Sequence, residues 1–209
     1  MERVLLADDH VVVRQGLRAL LERHGFSVVA EAGDGRTAVN LAREHHPDVA
    51  VLDVVMPVLN GVDAAHEIAR TCDGVGIVLL TMYSEDHYVR DAIRDGVRGF
   101  VVKTQPVQDL VQAIHEVSRG GLYVSPVVSR TVLQALRAAG GPVPPALTAR
   151  ERQVLQLVAE GQTTRQIAAT IRISVKTADC HRTRIMRKLN IHATAGLVRY
   201  AIRQGLVPP

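Results

Sequence analysis

The chain has 209 residues, and 47% of them are apolar, enough for one large hydrophobic core or two smaller ones. Its two cysteines, Cys72 and Cys180, lie far apart with no paired spacing, which excludes a disulfide framework and a cysteine-ligated zinc site. The net charge of +4 is unevenly shared: residues 1–130 hold 13 basic and 18 acidic side chains, residues 131–209 hold 12 and 3, so the second part is the one suited to a polyanion.

No stretch of about 18 apolar residues is present to cross a membrane, and no basic segment precedes a long apolar run at the N-terminus. The chain is therefore expected to be soluble and cytoplasmic. Apolar runs at residues 3–7, 27–30, 48–53, 75–80 and 98–102 alternate with helical patterns near 10–23, 36–45, 61–71, 86–95 and 106–119. Val4, Leu5, Leu6 and Ala7 are continuous rather than alternating, which suits a strand covered on both faces. Five such units predict an α/β fold, a doubly wound five-stranded parallel sheet with right-handed crossovers. The stretch S-R-G-G-L-Y-V-S-P leads to a further helical pattern over 126–138. Gly140, Gly141, Pro142, Pro144 and Pro145 then mark a linker. The expected division is 1–121 for the α/β domain, 122–145 for the linker and its helix, and 146–209 for a small four-helix domain.

Ligands of such sheets bind beyond the carboxyl ends of the strands. Asp8 and Asp9, Asp53, Thr81 and Lys103 fall at those ends, after the first, third, fourth and fifth runs. Three converging carboxylates repel one another, and a hard divalent cation such as Mg²⁺ relieves that repulsion while keeping sites for phosphate oxygens. Lys103 offers a point charge and Thr81 a hydroxyl to the same oxygens. The set suits phosphoryl transfer, with Asp53 as the accepting nucleophile. Taken singly, each residue has a plainer role: an Asp after a strand is usually a turn or cap residue.

On the motifs L-L-A-D-D-H, D-V-V-M-P-V-L-N-G, L-L-T-M and G-F-V-V-K-T, residues 1 to about 120 resemble the receiver domain of two-component response regulators. The resemblance implies a flavodoxin-like receiver phosphorylated on Asp53 by a histidine kinase. It also implies that Asp8, Asp9, the Asp53 carboxylate and the Val55 backbone carbonyl surround Mg²⁺, that Thr81 moves toward the phosphoryl group, and that Phe100 fills an aromatic switch position. Phe100 equally suits plain core.

In the basic part, L-T-A-R-E-R-Q-V-L opens with a capping box, Thr148 with Glu151 three residues on, and its helix stops at Gly161. A short helix over Thr163–Ile171, a turn at Arg172–Ser174 and a helix from Val175 to Leu189 make a helix-turn-helix pattern. Ala178, Ile185 and Leu189 face one way. The opposite face carries Lys176, Cys180, Thr183, Arg184 and Arg187, with Asp179 and Arg182 toward its edges. Such a face suits double-stranded DNA, with cations for phosphates or guanine and Asp179 for a cytosine amino group, although any single helix could show it as a solvated surface.

Residues 146 to about 207 resemble the LuxR-type domain that ends NarL/FixJ-family response regulators, through L-T-A-R-E-R-Q-V-L, R-I-S-V-K-T and H-R-T-R-I-M-R-K-L. In T-A-D-C, Asp179 stands where the family commonly has a basic residue. Leu197, Val198, Ala201 and Ile202 form a stripe on the last helical pattern that suits core or a homodimer contact. The expectation is a phosphorylation-controlled transcription regulator, not an enzyme acting on outside substrates. Two rivals are a phosphatase using Asp53, which lacks a D-x-D spacing for a second acid, and an interaction module whose receiver no longer switches.

Overall fold

The computed structural model describes residues 1–81, 92, 96–125 and 147–207. The predicted helices at 86–95 and 126–138 and the Gly/Pro linker lie outside the described residues, save Ala92. Strands β1 (Arg3–Ala7), β2 (Ser27–Ala32), β3 (Val49–Asp53), β4 (Gly76–Thr81), β5 (Gly99–Val102) and β6 (Tyr123–Val124) form one sheet in the order β2-β1-β3-β4-β5-β6, every pair parallel. The expectation of five strands is corrected to six among the described residues. Tyr123 and Val124 pair with Gly99 and Phe100, but two residues are too few to show as an apolar run.

The continuous apolar runs are explained by two cores, one on each face of the sheet. Leu5, Ala50, Leu52, Ile77, Leu79, Phe100 and Val102 point to one face. Val4, Leu6, Val49, Val51, Val78, Leu80 and Val101 point to the other. Helices α2 (Gly35–His45) and α3 (Gly61–Thr71) cover the first face through Ala38, Val39, Ala42, Ala64, Ala65 and Ile68. Helices α1 (Val11–Arg23) and α4 (Val107–Ser118) cover the second through Leu21, Leu110, Ala113, Ile114 and Val117. Side chains alternate across a strand, so a strand buried on both faces needs apolar residues at every position.

A third core belongs to the C-terminal helices α5 (Ala149–Ala159), α6 (Thr164–Thr170), α7 (Val175–Leu189) and α8 (Thr194–Arg203). The capping box predicted at Thr148 forms, with Thr148 Oγ1 accepting from Glu151 N–H and Glu151 Oε2 accepting from Thr148 N–H. A second box joins Thr163 and Gln166 at α6. Between α6 and α7, Arg172 takes a left-handed φ of 55°, and Ser174 caps α7. Ala178 and Ile185 are buried as expected, with Leu189 partly so. On α8, Leu197 and Ala201 lie in this core and Ile202 packs partly against it. No helix among the described residues is long and apolar enough to cross a membrane.

Candidate functional site

The parallel order reverses at β1, with β2 on one side and β3 on the other, and the carboxyl ends of β1 and β3 meet at that switch point. Asp8 and Asp9 follow β1, and Asp53 ends β3. Asp8 is fully buried; its Oδ1 accepts from His10 N–H at 2.8 Å and its Oδ2 from Lys103 Nζ at 2.7 Å. The same Nζ lies 2.7 Å from Asp53 Oδ2, so one cation bridges two acids carried by different strands. Lys103 is placed by its own N–H, which donates to Thr81 O at 2.8 Å beyond the ends of β4 and β5.

Asp53 is 4% exposed. Burial pushes its pKa up to about 6; Lys103 opposes that shift and the neighbouring Asp8 adds to it. Burial also works against the Lys103 cation, yet Asp53 and Asp8 outweigh it and hold that lysine above its ordinary value. Asp9 is more open, and His10 Nδ1 sits 2.8 Å from Asp9 Oδ1. Potential ligand atoms of Asp8, Asp9, His10 and Asp53 all lie within 4.8 Å of one another, a group able to hold a metal ion. Its carboxylates are the oxygen donors that a hard cation prefers.

The loop after Asp53 is tightly determined. Val54 N–H donates to Leu80 O and Gly61 N–H to Val54 O, each at 2.9 Å. A Cβ on Gly61 would collide with the Asp53 carbonyl oxygen, which is why the backbone can close here only on glycine. Val58 takes a φ of 68°, unfavourable for a β-branched residue. Asn60 caps α3, accepting from Asp63 N–H at 2.9 Å.

The structure thus gathers Asp8, Asp9, Asp53 and Lys103, with Thr81 at the end of the neighbouring strand and Val55 two residues beyond Asp53. Val55 N–H points back to Asp53 Oδ1 at 3.4 Å. Phe100 is 3% exposed and packed in the core. His10, which the structure groups with these acids, was not among the residues expected from sequence. Its signal was adjacency to the acidic pair.

On α7, Lys176, Asp179, Cys180, Thr183, Arg184 and Arg187 are all exposed on the side away from Ala178 and Ile185. Arg182 turns from that group, its Nη2 donating to Thr194 Oγ1 at 2.6 Å. Lys188 is likewise committed, 2.7 Å from the buried Glu151 carboxylate. A further set not expected from sequence is the polar side of α5, where Arg152, Gln156 and Glu160 meet the loop after Asp53.

The response regulator receiver domain family matches residues 4–115, and the luxR family of bacterial regulatory proteins matches residues 145–201. The chain is 37% identical over 210 residues to the transcriptional regulatory protein LiaR of Bacillus subtilis (strain 168), covering 99% of this chain and 100% of that protein. It is 35% identical over 209 residues to the response regulator UvrY of Escherichia coli (strain K12), covering 99% of this chain and 96% of that one. Among solved structures, RcsB from Salmonella enterica serovar Typhimurium, bound to promoter P1flhDC in the presence of phosphomimetic BeF3-, superposes with a TM-score of 0.66. Its identity is 27%, over 95% of this chain and 97% of that one.

Proposed function

The chain belongs to the response regulators that join a receiver domain to a luxR-family regulatory domain, and we propose that phosphorylation of Asp53 controls its binding to DNA. Residues 1–121 act as the receiver, 122–145 as linker, and 146–209 as the DNA reader. The observation that carries the reading is the Lys103 bridge, which places Asp53 beside a cation and a second acid at the sheet's switch point.

In this reading a cytoplasmic histidine kinase presents a phosphohistidine. A carboxylate oxygen of Asp53 attacks phosphorus, the P–N bond breaks and its electron pair stays on the imidazole, leaving an acyl phosphate on Asp53. Lys103 neutralises a phosphoryl oxygen and the Thr81 hydroxyl donates to another. Asp8, Asp9, Asp53 and the Val55 carbonyl would hold Mg²⁺, whose chemistry is to neutralise phosphoryl charge. Phe100 shifts with the switch. In the reader, Lys176, Arg184 and Arg187 contact phosphates or guanine, Thr183 and Cys180 line the groove, Asp179 accepts from a base amino group, and Arg182 supports α7 near its edge. Homodimerisation through α8 would set two α7 helices about one DNA turn apart.

The test is DNA binding across genomic fragments at two salt concentrations, with and without acetyl phosphate and Mg²⁺, for wild type and Asp53→Asn. Affinity should fall with salt, and should rise with phosphodonor in the wild type alone. A rise in Asp53→Asn would refute the assignment of Asp53.

A further inference from the structure

The ladder pairs of β1 end at Ala7, which faces Ala32 of β2 and Leu52 of β3. Asp8 lies one residue past them, yet each of its polar groups is held. Its N–H donates to Ala32 O at 3.1 Å, and its two carboxylate oxygens take the His10 N–H and the Lys103 ammonium. Its carbonyl accepts from Arg14 Nη1 at 2.6 Å. This last bond is the unusual one, because a backbone oxygen beside the acidic group is satisfied by a side chain of α1. The Arg14 side chain is only 17% exposed, so its place is fixed by packing as well as by charge.

Side chains on a helix tilt toward its N-terminus, so Arg14 reaches back over the turn closed by its own N–H bond to His10 O and arrives at Asp8. Its other side is anchored too. The buried Nε faces Glu31 Oε2 at 3.5 Å, and Glu31 Oε1 accepts in turn from Arg18 Nη1 at 2.6 Å. Strand β2 therefore fixes Asp8 twice, directly through Ala32 O and indirectly through Glu31 and Arg14. The peptide joining Asp8 to Asp9 is a rigid plane, so holding its oxygen also sets the direction in which Asp9 leaves. That matters because the Asp8 and Asp9 carboxylates converge with Asp53, although like charges drive one another apart.

We propose that Arg14 is a positioning residue for the divalent cation: by holding the Asp8 carbonyl, it fixes the Asp8–Asp9 peptide and the convergence of the two carboxylates, and so sets the affinity of the ion. The inference rests on the reading, given above, that Asp8, Asp9 and Asp53 hold such a cation. Arg14 acts on that cation in two opposed ways. Its charge repels the ion, but the Glu31 carboxylate offsets that charge, and compensated charges near solvent act weakly. Its hydrogen bond favours the ion, and partners that orient metal ligands commonly change affinity by about 10–100-fold. Positioning therefore outweighs repulsion, and losing Arg14 weakens binding even though a positive charge is removed.

The experiment titrates the full chain with Mn²⁺, reading the free ion by electron paramagnetic resonance, with Mg²⁺ as competitor. Wild type is compared with Arg14→Gln, Arg14→Lys and Arg18→Gln, each checked for fold by circular dichroism. Arg18→Gln is the control, since it removes the same charge from the same helix and from the same Glu31 without touching Asp8. Arg14→Gln should raise the Kd at least about tenfold, the lower end for lost partners of metal ligands. Arg14→Lys keeps the charge and a donor for one carbonyl but cannot fork to Glu31 as well, so its Kd should rise by about threefold or more. It decides the question where Arg14→Gln unfolds. Arg18→Gln should stay within about twofold of wild type. An unchanged or lower Kd in a folded Arg14 variant, or a loss in Arg18→Gln as large as in Arg14→Gln, would overturn the assignment of Arg14 while leaving the cation site standing. A wild type that takes up no Mn²⁺ would overturn both readings.

Discussion

Removing the negative charge of Asp53 should stabilise the fold at neutral pH in the absence of a divalent cation. Asp53 titrates near 6 in the folded chain against 3.8 for an ordinary aspartate, because burial and the Asp8 carboxylate disfavour its ionised form more than Lys103 favours it. Between those two pH values the native state binds a proton that the unfolded chain has released, so stability is lost as pH rises through that window and the full penalty is present above about 6. A shift of about 2 units at 1.36 kcal/mol per unit corresponds to roughly 3 kcal/mol. Asp53→Asn keeps the size and can accept from Lys103, but leaves that lysine with Asp8 as its charged partner, so a gain of about 1–3 kcal/mol is expected at pH 7.5. Urea unfolding in EDTA, followed by circular dichroism at pH 7.5, 6 and 4.5, should show the gap closing as pH falls. Millimolar Mg²⁺ should restore the wild type more than the variant. A variant less stable than wild type at pH 7.5, or a gap that stays constant down to pH 4.5, would refute the reasoning.

Gly61→Ala should cost about 2–3 kcal/mol in urea unfolding, since its Cβ meets the Asp53 carbonyl and the loop must move. Val58→Gly should be neutral or stabilising by up to about 1 kcal/mol, because relief of the positive φ offsets the added freedom of the unfolded chain; a clear loss would show that the loop is unstrained. Arg184→Ala and Arg187→Ala should each lower the slope of log K against log salt by about one, measured by fluorescence anisotropy on labelled DNA. Lys188→Ala should leave that slope unchanged and instead destabilise the helical domain by about 1–3 kcal/mol, because it strands the buried Glu151 carboxylate.

The fold was legible wherever one local pattern answered to one physical constraint. Strands buried on both faces need continuous apolar runs, and Val4–Ala7 and Val49–Leu52 supply them. The Thr148 box and the Gly161 stop were readable because a helix terminus has few ways to satisfy its orphan groups. The site acids were readable because parallel topology collects strand ends. What stayed hidden depended on partners remote in sequence. Tyr123–Val124 becomes a strand only because β5 offers an edge. Lys188, next to Arg187 in sequence, pairs with Glu151 of α5, a partner 37 residues away that no local pattern announces. Arg152, Gln156 and Glu160 at four-residue spacing look like the solvated side of an amphipathic helix, and only the loop 96 residues away makes Gln156 a buried group.

The chemistry of that junction matters to any switch built on it. An apolar contact of similar extent would be opened against a cost proportional to the area exposed, about 25 cal/mol per Å². Hydrogen bonds and the Arg152–Asp63 pair are exchanged for bonds to water at a net cost nearer 1 kcal/mol each, provided that both sides become wet together. A junction of this kind can be strong while closed, because leaving one partner behind in the interior is expensive, yet remain within reach of the 1–3 kcal/mol that site-to-site coupling commonly supplies. The loop it holds begins at Asp53, so the proposed acceptor and the α5 contact share one short stretch of backbone. A coupling between the proposed acceptor and this contact would therefore need no relay through the sheet core, whose close packing at Leu52, Leu79 and Phe100 can stay as it is.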